Sequence, residues 1–175
     1  GVAYTLYNSS RFTAAIVTTQ SYLDPINCYL AGTLGGCRRS FQRMGYQPPY
    51  DSPDGYYGDV SPAWNAVKIR TPLLMQLPDV EYPAMMQLYT AMEDLGRVVE
   101  MHVFPDEYHM KRQPRHRLVV YDRNVAWIEF WLKSVERDDT EDDATLVRWR
   151  AMRDRQCKIA TSSDNHGEAP WYCAG

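Results

Sequence analysis

The stretch FPDEYHMK (104–111) ends an apolar run with an acidic pair and then sets down a single imidazole, His109, before turning basic. A second apolar run, KIRTPLLMQL (68–77), ends just before Asp79. A histidine changes charge closest to neutral pH, and a carboxylate that accepts its Nδ1–H fixes the tautomer and stabilises the imidazolium. Nε2 is then free to take a proton from a nucleophile. Asp79 and His109 are therefore the candidate catalytic pair, with His109 as general base and then acid and Asp79 as its orienting carboxylate. Glu107 reads as a hydrogen-bonding or solvated neighbour of that pair, not as a second base.

Other reactive types in the chain carry less. His102, His109 and His116 recur every seven residues, but their expected contexts are strand, loop and helix. Regular spacing then brings no convergence of imidazoles, so neither a metal nor another cofactor is expected. Ser61 precedes Pro62 at a strand entrance, on the edge opposite His109, and Ser9, Ser10 and Ser52 lie in turn-like sequence. None qualifies as a nucleophile.

Asp79 and His109 stand 30 positions apart, so something must bring them together. FTAAIV (12–17), KIRTPLLMQL and VVEMHVF (98–104) read as buried strands. Between the last two, Pro83 opens a helix at its favoured first position. Met85, Leu88, Tyr89, Met92 and Leu95 lie on one face of it, and Gly96 closes it. Beyond Pro114, Leu118, Tyr121, Val125, Ile128 and Leu132 repeat at three and four, which predicts an amphipathic helix over 115–135. Alternating strands and helices imply an α/β fold, with parallel strands joined by right-handed crossovers. In such a sheet ligand chemistry collects at the carboxyl ends of the strands, and both candidate residues follow strand ends.

The rest of the chain divides around this core. Residues 2–7 read as the end of a helix. Residues 20–65 form an excursion rich in Gly, Pro and Tyr, whose Tyr46, Tyr50, Tyr56 and Tyr57 either line a mouth or pack beneath a loop. The organisation expected is a catalytic-domain portion over 1–135, followed over 136–175 by a further helix and a mobile tail. That helix carries its acids first and its bases last, complementing its dipole, with Leu146 and Trp149 available to dock.

A formal net charge of −3 from interspersed acids and bases leaves no basic field for nucleic acid. No apolar run approaches the roughly 20 residues of a membrane-spanning helix, and residues 1–10 lack the pattern of a secretion signal. Neither nucleic acid nor a membrane is an expected partner. Cys28 with Cys37 and Cys157 with Cys173 would close two short loops as disulfides in an oxidising compartment such as a periplasm, and free thiols fit equally well. The cysteines therefore leave a cytoplasmic or a periplasmic setting open.

Residues 61–110 resemble the C-terminal half of the catalytic domain of the prolyl oligopeptidase family of serine peptidases. The resemblance rests on Ser61 and Pro62 before the penultimate strand, Asp79 after it, Pro83 and Gln87 opening the next helix, and Glu107-x-His109 after the last strand. It extends through WIEFWL (127–132). Where that family has His-Gly, this chain has Met75 and Gln76; with Glu81 and the segment RWRAMRDRQ, that departure resembles the lasso peptide isopeptidase branch. The resemblance implies an α/β-hydrolase sheet, a peptide or lasso peptide substrate, a bacterial source and a β-propeller upstream.

In α/β-hydrolases the nucleophile sits on a Gly-x-Ser-x-Gly elbow that precedes the Asp and the His. No such elbow occurs in these 175 residues. The chain is expected to be the C-terminal piece of a longer enzyme, its sheet incomplete without the upstream strands and its serine just before Gly1. Two other readings stay open: a non-catalytic α/β binding module, and a carboxylesterase fragment.

Overall fold

Each apolar run supplies a strand: β1 (Ala15–Val17), β2 (Leu73–Pro78) and β3 (Val99–Phe104), all parallel and in the order β1-β2-β3. The computed structural model describes residues 1–19, 24–31, 37–51, 55–137, 143–161 and 170–173. All of β2 is buried, as a strand with a neighbour on each edge and cover on both faces must be. Pro72 stands just outside this strand and Pro78 is its last residue, positions where a missing N–H disturbs the ladder least.

Side chains alternate along a strand, and here the alternation sorts the core in two. Ala15, Val17, Leu73, Met75, Leu77 and Val99 face one way. They meet Leu6 and Tyr7 of α1 (Val2–Asn8) and Leu88 and Met92 of α5 (Met86–Asp94). Ile16 and Leu74 face the other way, toward α6 (Pro114–Lys133) and α7 (Asp143–Thr161). Before α5, Pro83 lies in a short 3-10 turn (Tyr82–Ala84). After it, Gly96 takes the left-handed conformation (φ 65°), which lets the Arg97 N–H close back on the Met92 carbonyl at 2.8 Å.

The helix predicted over 115–135 forms, but of its predicted apolar stripe only Ile128 packs toward the core. Val120, Trp127, Phe130 and Trp131 are buried, whereas Leu118 (60%) and Tyr121 (59%), with Val125 and Leu132, are exposed. Residue for residue, the three buried aromatic side chains remove more surface from water than Leu118, Val125 or Leu132 would, and they decide the orientation. Gln76 completes the contact. Fully buried in mid-strand, its amide donates to Asn124 Oδ1 at 2.8 Å and to the Val120 carbonyl at 3.2 Å.

α7 docks through the two residues expected, Leu146 and Trp149, both buried against α6. The Trp149 indole N–H donates to Glu100 Oε2 at 2.6 Å, and the Arg148 guanidinium and the His102 ring meet Oε1 at 3.0 and 2.7 Å. Burial pushes the Glu100 carboxyl up, but His102 and Arg148 outweigh it and hold the group below its ordinary range. Further along, Gln156 donates to the Arg70 carbonyl at 2.6 Å and Cys157 is bonded to Cys173. The expected mobile tail is thus fastened where it is described, with Tyr172 5.4 Å from the Trp131 ring; residues 162–169 and 174–175 lie outside the described residues.

Glu107 organises the connection between β3 and α6. Its side chain, 1% exposed, accepts the N–H groups of Arg112 (2.6 Å) and Gln113 (3.0 Å) just before the helix, and meets His116 Nδ1 at 2.9 Å. A carboxylate here satisfies donors at a helix start and faces the positive end of its dipole. Burial raises this carboxyl, and the Arg112, His116 and Gln113 donors together bring it below the usual glutamate range.

Two outcomes follow for stability. Trp149→Ala should lower the unfolding free energy by about 3–5 kcal/mol, as loss of a buried indole does. Trp149→Phe, which keeps a ring but removes the donor to Glu100, should lower it by about 1–3 kcal/mol; chemical denaturation followed by circular dichroism distinguishes them. For Glu107, a folded pKa below the unfolded value means stabilisation that is complete above the ordinary glutamate pKa of about 4.3 and lost as pH falls through the depressed value. Glu107→Gln should therefore melt below wild type at pH 7, with the gap shrinking as pH drops under that range.

Candidate functional site

The carboxyl ends of β2 and β3 are stapled to each other by residues that leave the strands. The Asp79 N–H donates to the Phe104 carbonyl at 3.0 Å, and Asp79 Oδ2 accepts the Asp106 N–H at 2.9 Å. Asp106 holds φ 54°, a left-handed conformation that Asp tolerates better than most residues, and the chain turns there toward the loop that bears His109.

With the strand ends joined, the next residues on each side meet. His109 Nδ1 lies 2.6 Å from Glu81 Oε1. The imidazole is 52% exposed and the carboxylate 13% exposed, so the ring is open to a reactant while its partner is sheltered. A carboxylate can only accept from Nδ1, which places the ring proton there and leaves Nε2 as the basic nitrogen.

The carboxylate contact expected of Asp79 therefore falls to Glu81. Asp79 stands immediately after β2, and its side chain is committed to the Asp106 backbone. Its Oδ1 is buried without a hydrogen-bond partner among the described residues. Glu81, two residues further into the turn, has the reach. The sequence displayed an acid at both positions, and no rule of strand ends separates 79 from 81.

The three imidazoles 102, 109 and 116 sit at three separate carboxylates, Glu100, Glu81 and Glu107 respectively. Ser61 is fully buried, and its hydroxyl donates to the Asp24 carboxylate. It is thereby removed from solvent and committed to another carboxylate.

Among its described residues, the excursion between β1 and β2 forms three short α-helices, α2 (Pro25–Ala31), α3 (Cys37–Arg43) and α4 (Tyr56–Val60). A disulfide joins Cys28 to Cys37, with Cα atoms 5.7 Å apart, so both cysteine pairs are bonded. Of the tyrosines singled out, Tyr46 stacks on Tyr56 at 4.0 Å, Tyr57 is buried beneath Phe41, and Tyr50 is exposed. Packing under a loop accounts for most of them. Tyr56 also lines a cavity of about 960 Å³ with Val2, Thr18, Phe41, Met44 and Met85. This hollow opens between α1, the end of β1 and the residues that follow Glu81, and its wall is largely apolar, as small-molecule and peptide sites are.

The sequence matches the prolyl oligopeptidase family over residues 2–135. It is 36% identical over 154 residues to the lasso peptide isopeptidase AtxE2 of Asticcacaulis excentricus, an alignment covering 87% of this chain and 22% of that protein. The fold superposes on the apo structure of the AtxE2 isopeptidase with a TM-score of 0.73 at 34% identity, over 89% of this chain and 23% of that one. Uncomplexed Pyrococcus horikoshii acylaminoacyl peptidase shares the fold, with a TM-score of 0.56 at 20% identity over 83% of this chain and 24% of that one. The chain thus spans less than a quarter of the length of these relatives. An α/β fold with a parallel sheet, a histidine loop after its last strand and a match over most of its length place this chain in the prolyl oligopeptidase family of peptidases.

Proposed function

We propose that this chain supplies the acid–base half of a serine hydrolase that cleaves peptide or isopeptide bonds, its serine nucleophile lying in sequence outside these residues. The observation that carries the reading is the 2.6 Å contact of His109 Nδ1 with Glu81 at the carboxyl rim of the sheet. His109 Nε2 takes the proton from the serine hydroxyl as its oxygen attacks the carbonyl carbon. The imidazolium then gives that proton to the departing amine, leaving an acyl-enzyme. Water repeats the cycle: it loses a proton to Nε2, attacks the acyl carbon, and the serine leaves reprotonated. Glu81 accepts from Nδ1 throughout, holding the tautomer and offsetting the imidazolium charge.

The substrate class follows from relationship and from the cavity. A relative similar in both sequence and fold is a lasso peptide isopeptidase, also solved as a serine-to-alanine variant with Astexin3-dC4 bound. A lasso-type peptide, its isopeptide bond presented to His109 and its chain against the apolar hollow, is the substrate assigned to the full-length protein. A β-propeller upstream is its proposed companion domain. A second reading gives the orienting role to Asp79 once substrate is bound, and it rests on the buried, unpartnered Oδ1.

Variants of the full-length protein, assayed with p-nitrophenyl acetate and a lasso peptide, separate these. His109→Ala and Glu81→Gln should each lower kcat by roughly 10⁴-fold. Asp79→Asn, which loses one acceptor at a backbone staple, should lower it on the order of tenfold or less. The reverse ranking of Asp79 and Glu81 would transfer the orienting role to Asp79. Residues 1–175 alone, with no serine elbow, should hydrolyse the ester no faster than their own His109→Ala variant.

A further inference from the structure

Two residues beyond the imidazole, the Lys111 ammonium lies against the sheet instead of extending into water. Nζ donates to the Thr18 carbonyl at 2.6 Å and to the Gln76 carbonyl at 2.8 Å, and it stands 5.3 Å from the centre of the Phe104 ring. Thr18 follows β1, Gln76 lies near the end of β2, and Phe104 closes β3. One cation thus gathers the carboxyl ends of all three strands. Its anchor on β2 is rigid, because the Gln76 side chain is itself bound to Asn124 and Val120 of α6.

The rest of the loop shows why such a tie matters. Glu107 closes the span on itself by accepting the Arg112 and Gln113 N–H groups, and Arg112 lies 4.8 Å from the Tyr108 ring centre. Those contacts give the loop its shape but bind it only to its own residues and to the start of α6. A loop of fixed shape can still rock as a unit, carrying His109 away from Glu81 and from a nucleophile. A displacement of about 1 Å is worth roughly 10²-fold in rate. Charge-assisted bonds to two strand carbonyls oppose that motion. Burial lowers the lysine's pKa, while the Glu81 and Glu107 carboxylates act to keep it charged.

We propose that Lys111 is a positioning residue for His109, an ammonium that locks the histidine loop to the ends of β1 and β2. The role rests on His109 being the general base. It predicts an effect on turnover, not on substrate affinity, since Lys111 is spent on backbone carbonyls and does not line the apolar cavity.

The test uses the full-length protein and p-nitrophenyl acetate, with Lys111→Met, Lys111→Gln, Lys111→Arg and His109→Ala measured side by side. Lys111→Met should lower kcat by about 10- to 100-fold with KM changed by less than about twofold, and Lys111→Arg, which keeps charge and donors, should recover part of the loss. A Lys111→Met enzyme that folds and turns over at the parental rate overturns the proposal. So does an equal loss in kcat and in affinity. Should Lys111→Met fail to fold, the comparison passes to Arg and Gln: Arg clearly faster than Gln supports the tie, and equal rates overturn it. If His109→Ala keeps its activity, the acid–base reading falls and this inference with it; if His109→Ala is inactive while Lys111→Met is not, only the role of Lys111 falls.

Discussion

The parallel pairing of β2 with β3, in register from Leu73 with Val99 to Pro78 with Phe104, is the constraint on which the rim depends. Because the strands run the same way and end level, what leaves one meets what leaves the other. Asp79 converts that proximity into a staple, and the turn beyond it delivers Glu81 to His109. Parallel strands require a crossover, so α5 must lie between these residues in sequence. The long separation of acid and imidazole in the chain and their contact in space have the same origin.

Charge is placed within this scaffold with some economy. Glu100, Glu81 and Glu107 each take one histidine, and each pair works at a different level of the structure. Glu100 ties α7 to β3, Glu107 shapes the start of α6, and Glu81 meets an imidazole that remains half open to solvent. The two buried carboxylates gather several donors, as burial demands of an ionised group, and those donors hold them below the ordinary range against the upward push of burial. The His109 ring, by contrast, is half exposed.

Much of this was legible in the sequence, because strand and crossover signals are strong where burial is two-sided. The three strands, their parallel direction, a helix between the last two and the docking residues Leu146 and Trp149 follow from periodicity and punctuation; Pro83 itself opens a 3-10 turn, and the helix begins at Met86. The inward face of α6 does not. Its helix is apolar on two sides, and the choice falls to Trp127, Phe130 and Trp131 through volume that a pattern of threes and fours does not weigh. The choice of Glu81 over Asp79 is a matter of turn geometry two residues wide. Lys111 is not legible for a different reason: a lysine after a histidine reads as solvated surface until the carbonyls beneath it are seen. The end of the chain reads as tail from composition, yet Cys157 and Tyr172 fasten its described part to the core.

β1 is three residues long and, among the described residues, is joined to the sheet along one side only, by β2. Its far side therefore offers a row of main-chain groups that any extended segment could complete, whatever its side chains. Such a seam favours strand addition over surface contact. Prepared by itself, the polypeptide would tend to self-associate there, and a neighbouring strand laid along Ala15–Val17 would keep it dispersed.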